Sequence, residues 1–129
     1  CYGYGIEANV AWKQTLGDEW RQYQDIFPAV AKSRIQQLSL EARNSKVPVE
    51  LIGLLEGKDI LIGAIDVASD EIEMPEEVCA VIETAMRFVP KDRIFPGTNC
   101  GMAPMKREIA FAKLAALSKG AALARERYG

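Results

Sequence analysis

Three side chains in this sequence are suited to soft-metal chemistry: Cys1, Glu41 and Cys100. Two thiolates and a carboxylate are competent zinc ligands, and sulfur donors favour zinc over magnesium or calcium. A catalytic zinc keeps one position open, and a thiol bound there gives up its proton at neutral pH. The chain contains no histidine, so the commonest general base and the commonest zinc ligand are both missing. Acid–base or metal chemistry must then rest on Cys, Glu, Asp, Tyr or Lys. Positions 1, 41 and 100 are too widely spaced for a compact metal motif. On residue type and spacing alone, two unrelated cysteines and a helix-capping glutamate explain the pattern better. Asp66 ends a buried apolar run and suits substrate or ligand-orienting work as well as it suits a loop cap. Cys79 reads as a small core residue inside a helix, and Ser69 and Asp70 read as the start of that helix. Tyr2 and Tyr4 fit a pocket lining or simple packing equally.

The elements that must position these residues alternate. Asp18 to Phe27 has helical period through Trp20, Tyr23, Ile26 and Phe27, limited by Pro28. Ile35 to Glu41 reads as a strand, and Pro48 to Leu55 as a short helix with Pro at its start. Asp59 to Asp66 is almost continuously apolar, the mark of a parallel strand covered on both faces. Pro75 to Val89 is the clearest helix, with Glu76 and Glu77 in its first turn. Ile94 to Thr98 is a third strand, running into Asn99-Cys100-Gly101, which shapes the turn presenting Cys100. Lys106 to Leu117 and Ala121 to Arg127 read as two helices broken at Gly120. This order predicts an α/β fold with a parallel sheet. Glu41, Asp66 and Cys100 fall where strands end, which is where (β/α)8 enzymes place their chemistry.

Composition excludes several classes. The 129 residues are 49% hydrophobic and 26% charged, ordinary for a soluble domain. A formal net charge of -2 gives no reason to expect nucleic acid or an anionic membrane. Lys106, Arg107, Arg125 and Arg127 read as solvated surface, and Trp12, Trp20 and Tyr23 as core or inter-helix contacts. The longest apolar run is too short to span a bilayer, and the N-terminal run does not read as a secretory signal. Three cysteines make a poor disulfide framework and fit a reducing compartment, so a cytoplasmic location is expected.

The runs CYGYG, SLEARNS, GAIDVASDEIEMPEEV and TNCGMAP resemble, in order and spacing, consecutive blocks of the catalytic barrel of the cobalamin-independent methionine synthase family. The likeness covers essentially all 129 residues, and the DVASDEIE block is closest to stand-alone, single-barrel members. The resemblance implies one domain over 1–129, the C-terminal half of a (β/α)8 barrel. It implies a zinc site with Cys1, Glu41 and Cys100 as ligands and a fourth, histidine ligand two residues before Cys1. It also implies activation of homocysteine as a thiolate that takes up a methyl group to become methionine, with Asp66 as the catalytic candidate and the methyl donor left open. Relatives include an enzyme that adds a thiol coenzyme to epoxides. Half a barrel leaves an open sheet edge. The expected partner is therefore the N-terminal half or a second copy, and the alternative is a non-catalytic remnant.

Overall fold

A computed structural model describes residues 7–129, the side chain of Val10 excepted. The organising element is strand β2 (Asp59–Ile65), flanked on one side by β1 (Gln37–Glu41) and on the other by β3 (Ile94–Thr98), all parallel. Ile60, Ile62, Ala64 and Ile65 are fully buried, as a central strand covered on both faces requires. Glu41 pairs with Gly63 and Gly63 with Gly97; an irregularity then pairs Ile65 with Thr98. This register brings the carboxyl ends of all three strands to one edge of the sheet.

Helix α3 (Pro75–Met86) connects β2 to β3 and buries Val78, Cys79, Ile82 and Ala85 along one stripe. Its first turn is closed by Glu77, whose Oε2 accepts from the Met74 N–H at 2.8 Å. Helix α4 (Arg107–Tyr128) packs against α3. The break expected at Gly120 does not occur. A Cβ at Gly120 would stand 2.6 Å from Val78 Cγ1 and 2.8 Å from the Pro75 carbonyl oxygen. The glycine is the point where two helices touch, and the helix runs through it. No helix among the described residues is long and apolar enough to cross a membrane.

The N-terminal region departs most from expectation. Helix α1 (Glu7–Gln14) was not anticipated, and α2 occupies Tyr23–Ala31 instead of beginning at Asp18. Gly17 turns the chain at φ 74°, and the Trp20 N–H donates to the Lys46 carbonyl at 2.9 Å. Those two features tie the preceding segment to the loop after β1, so helix begins only beyond them. Pro28 lies inside α2. Trp20 and Phe27 enter the core, Tyr23 stacks on Phe27 at 5.0 Å, and Trp12 is exposed. The segment after Pro48 is a 3-10 helix, Val49–Leu54, which suits so short a connection. Ile35 lies outside β1 and is half exposed.

Candidate functional site

Glu41 is the last residue of β1, with 1% of its surface exposed. Cys100 stands two residues beyond β3 and is half-buried. Asn99, between β3 and Cys100, joins the three strand ends. Its N–H donates to the Ile65 carbonyl at 2.9 Å. Its Oδ1 accepts from the Ala42 N–H at 3.1 Å, and its Nδ2 donates to the Arg43 carbonyl at 2.7 Å. Its side chain fills the space over Gly63, where a Cβ would lie 2.9 Å from Asn99 Cα and 3.1 Å from Glu41 Cα. Only glycine leaves room for that amide. The residues on either side of this cross-link are the carboxylate and the thiol singled out as ligands. Thr98 Oγ1 donates to the Cys100 carbonyl at 2.8 Å and shapes the turn that follows.

Asp66, one residue past β2, is 8% exposed. Its Oδ1 accepts from the Ala68 N–H at 2.8 Å and its Oδ2 from Asn44 Nδ2 at 3.0 Å. Asn44 adopts φ 52°, a left-handed conformation that asparagine tolerates. The Asp66 N–H donates to Glu73 Oε1 at 2.8 Å. Glu73 is in turn paired with Lys113 of α4, whose Nζ lies 3.1 and 3.0 Å from the two carboxylate oxygens and also donates to the Glu71 carbonyl. Arg43 Nη2 meets Glu77 Oε1 at 2.5 Å. The Met74 N–H, and then the Arg43 guanidinium, hold the Glu77 carboxyl below the usual range. Arg43, Asn44, Asp66, Ser69, Glu73 and Glu77 line a small polar pocket of about 60 Å³ beside the strand ends. A larger cavity, about 390 Å³, lies elsewhere, between α3, α4 and the outer edge of β3.

Glu41, Asp66 and Cys100 thus share the edge assigned to them. Cys1 lies outside the described residues, as do Tyr2 and Tyr4. Among the described residues no three His, Cys, Asp or Glu side chains converge as a metal-holding group. The chemistry of a buried carboxylate and a half-buried thiol at one edge nonetheless fits part of a zinc donor set. Cys79 is fully buried core. Ser69 and Asp70 do not start α3: Ser69 Oγ accepts from the Glu71 N–H at 3.1 Å, and the helix begins only at Pro75. The four residues between them, Glu71 to Met74, carry Glu73 back to Asp66. Lys106, Arg107, Arg125 and Arg127 are exposed. Sequence reasoning missed Lys113, Glu73, Arg43 and Asn44, although Arg43 and Asn44 stand inside the SLEARNS run.

Residues 20–123 match the model of the cobalamin-independent synthase catalytic domain. The chain is 31% identical over 123 residues to a methionine synthase of Sulfurisphaera tokodaii, covering 95% of this chain and 35% of that protein. It is 29% identical over 93 residues to a methionine synthase of Thermococcus kodakarensis, covering 71% and 28%. A solved B12-independent methionine synthase from a Shewanella species, in complex with selenomethionine, superposes with a TM-score of 0.92 at 52% identity. That match covers 98% of this chain and 37% of the other, so the chain spans about a third of the length of its relatives. The parallel strands and alternating helices are those of a (β/α)8 barrel, and the chain belongs to the cobalamin-independent synthase catalytic-domain family.

Proposed function

We propose that this chain forms the thiol-activating part of a zinc-dependent methyltransferase that converts homocysteine to methionine. Glu41 and Cys100 would hold the metal, together with Cys1 and a histidine two residues before it. Zinc bound there lowers the pKa of a substrate thiol, so that a thiolate is present at neutral pH. The homocysteine sulfur attacks the methyl carbon, a sulfur–carbon bond forms, and the donor keeps the electron pair of the bond that breaks. Asp66 orients the substrate from the end of β2, its carboxylate held in one direction by Asn44 and the Ala68 N–H.

The observation that carries the reading is the Asn99 cross-link, which draws the ends of β1 and β3 together and with them Glu41 and Cys100. Preorganised placement of this kind is what in-line transfer demands. The selenomethionine in the structure of the Shewanella relative is the selenium analogue of the proposed product, which supports this reading. The test is methionine formation from homocysteine and a methyl donor by the full-length protein. Cys100→Ser and Glu41→Gln should abolish turnover, and Asp66→Asn should lower kcat/KM. Undiminished methionine formation in a folded Cys100→Ser protein would refute the assignment.

A further inference from the structure

Lys113 is the largest fully buried side chain of the described residues, and it is charged. It sits on α4, in a run that otherwise reads as an ordinary helix. Its three ammonium donors face three acceptors: both Glu73 oxygens and the Glu71 carbonyl. Glu73 is 6% exposed. An ion pair buried this deeply is a poor device for stability, because apolar residues of similar volume generally serve as well or better. Its geometry suggests another use. Glu73 Oε1 also accepts the Asp66 N–H, and the Asp66 carboxylate reaches Asn44 on the loop after β1. One connected chain therefore runs from an outer helix, Lys113–Glu73–Asp66–Asn44, to the carboxyl ends of two strands.

We infer that Lys113 and Glu73 are positioning residues. They fix the loop from Asp66 to Met74 so that the Asp66 carboxylate is presented to the substrate site. The inference rests on the functional reading above for its consequence in turnover, and on the hydrogen-bond chain for its structural part. Without Glu73 the Asp66 N–H loses its acceptor, and the loop keeps only the bond from Lys113 to the Glu71 carbonyl as its tie to α4. Asp66 then keeps its charge and its bonds to Asn44 and the Ala68 N–H, but the backbone that carries it is no longer anchored at its own N–H.

The test uses the full-length protein with Lys113→Met/Glu73→Leu, which leaves neither a lone buried charge nor an acceptor for the Asp66 N–H, and separately Glu73→Asp. The aspartate keeps the charge but draws the carboxylate back from the Asp66 N–H. Amide hydrogen exchange at Asp66 reads positioning without turnover, and its protection should fall about 10-fold while that of Ile62, in the core of β2, stays unchanged. Methionine formation should lose about 10-fold or more in kcat with zinc content unchanged. Asp66→Asn should also cost less in either variant than in the wild type, because coupled residues are not additive. Unchanged Asp66 protection in both variants overturns the inference, as does an Asp66→Asn penalty equal in all backgrounds. A wild type that forms no methionine overturns the functional reading alone, and the exchange data then decide the positioning. If the double variant does not fold, Glu73→Asp decides it.

Discussion

Gly63→Ala probes the centre of the site with one methyl group. The new Cβ would stand 2.9 Å from Asn99 Cα and 3.1 Å from Glu41 Cα, with Asn99 Oδ1 closer still. Two of these are backbone atoms, one at the end of β1 and one just past β3, and have little room to yield. Overpacking of this kind costs about 1–3 kcal/mol. Displacing the Asn99 amide would take the Nδ2 donor from the Arg43 carbonyl, a further cost of about 1–3 kcal/mol, while the Ala42 N–H would keep the Gly63 carbonyl as its second acceptor. Relief of glycine's extra chain entropy returns about 0.5–1 kcal/mol. The expected net destabilisation is about 2–4 kcal/mol, read as a lower urea midpoint with an unchanged slope. The same change parts Glu41 from the turn carrying Cys100, so zinc content should fall as well. Gly97→Ala is the matched control on the neighbouring strand, since the nearest atoms to its Cβ would be those of the Leu61 side chain, not backbone. It should cost less than Gly63→Ala. A Gly63→Ala protein within about 0.5 kcal/mol of wild type and fully loaded with zinc would refute the Asn99 argument.

Other expectations follow from the same contacts. Lys113→Met alone strands Glu73 as a buried charge and should destabilise by about 3–5 kcal/mol, with much of that recovered when Glu73→Gln is added; urea unfolding of the single and double variants measures both. Gly120→Ala forces a methyl between α4 and α3 against Val78 and the Pro75 carbonyl. It should lower the urea midpoint despite the better helix propensity of alanine. The Glu77 carboxyl is held below its usual range by the Met74 N–H and then Arg43. Its contribution is therefore present above the unfolded-state value, about 4.3, and is lost as pH falls through the lower folded value. The stability advantage of wild type over Glu77→Gln should be constant near neutrality and shrink below about pH 4.3. It should stay modest, because Glu77 is 39% exposed.

The parts of the fold written as local pattern were legible in the sequence. The apolar run of β2, the Pro-Glu-Glu start of α3 and the strand ends at Glu41, Asp66 and Cys100 all follow from residues next to one another. The parts that depend on distant partners were not. Asn99 is a turn residue by local reading, yet it acts as a cross-link because Ala42 and Arg43 meet it from the loop after the other edge strand. Gly120 reads as a helix breaker until α3 is placed against it. Lys113 lies in a run that gives no sign of burial, and Glu73 is one of several acids in its loop. Only the fold brings those two together. The N-terminal helix boundary was missed for a similar reason, since the bond from Trp20 to Lys46 outweighs the helical spacing of residues 18–22.

The central claim is that Glu41 and Cys100 serve one metal. Zinc content of the full-length protein, purified without chelator, tests it most directly when wild type is compared with Glu41→Gln and Cys100→Ser. Near-stoichiometric zinc in the wild type, lost in both folded variants, is the predicted result. Full zinc retained by a folded Cys100→Ser or Glu41→Gln protein, or a folded wild type without zinc, would contradict it.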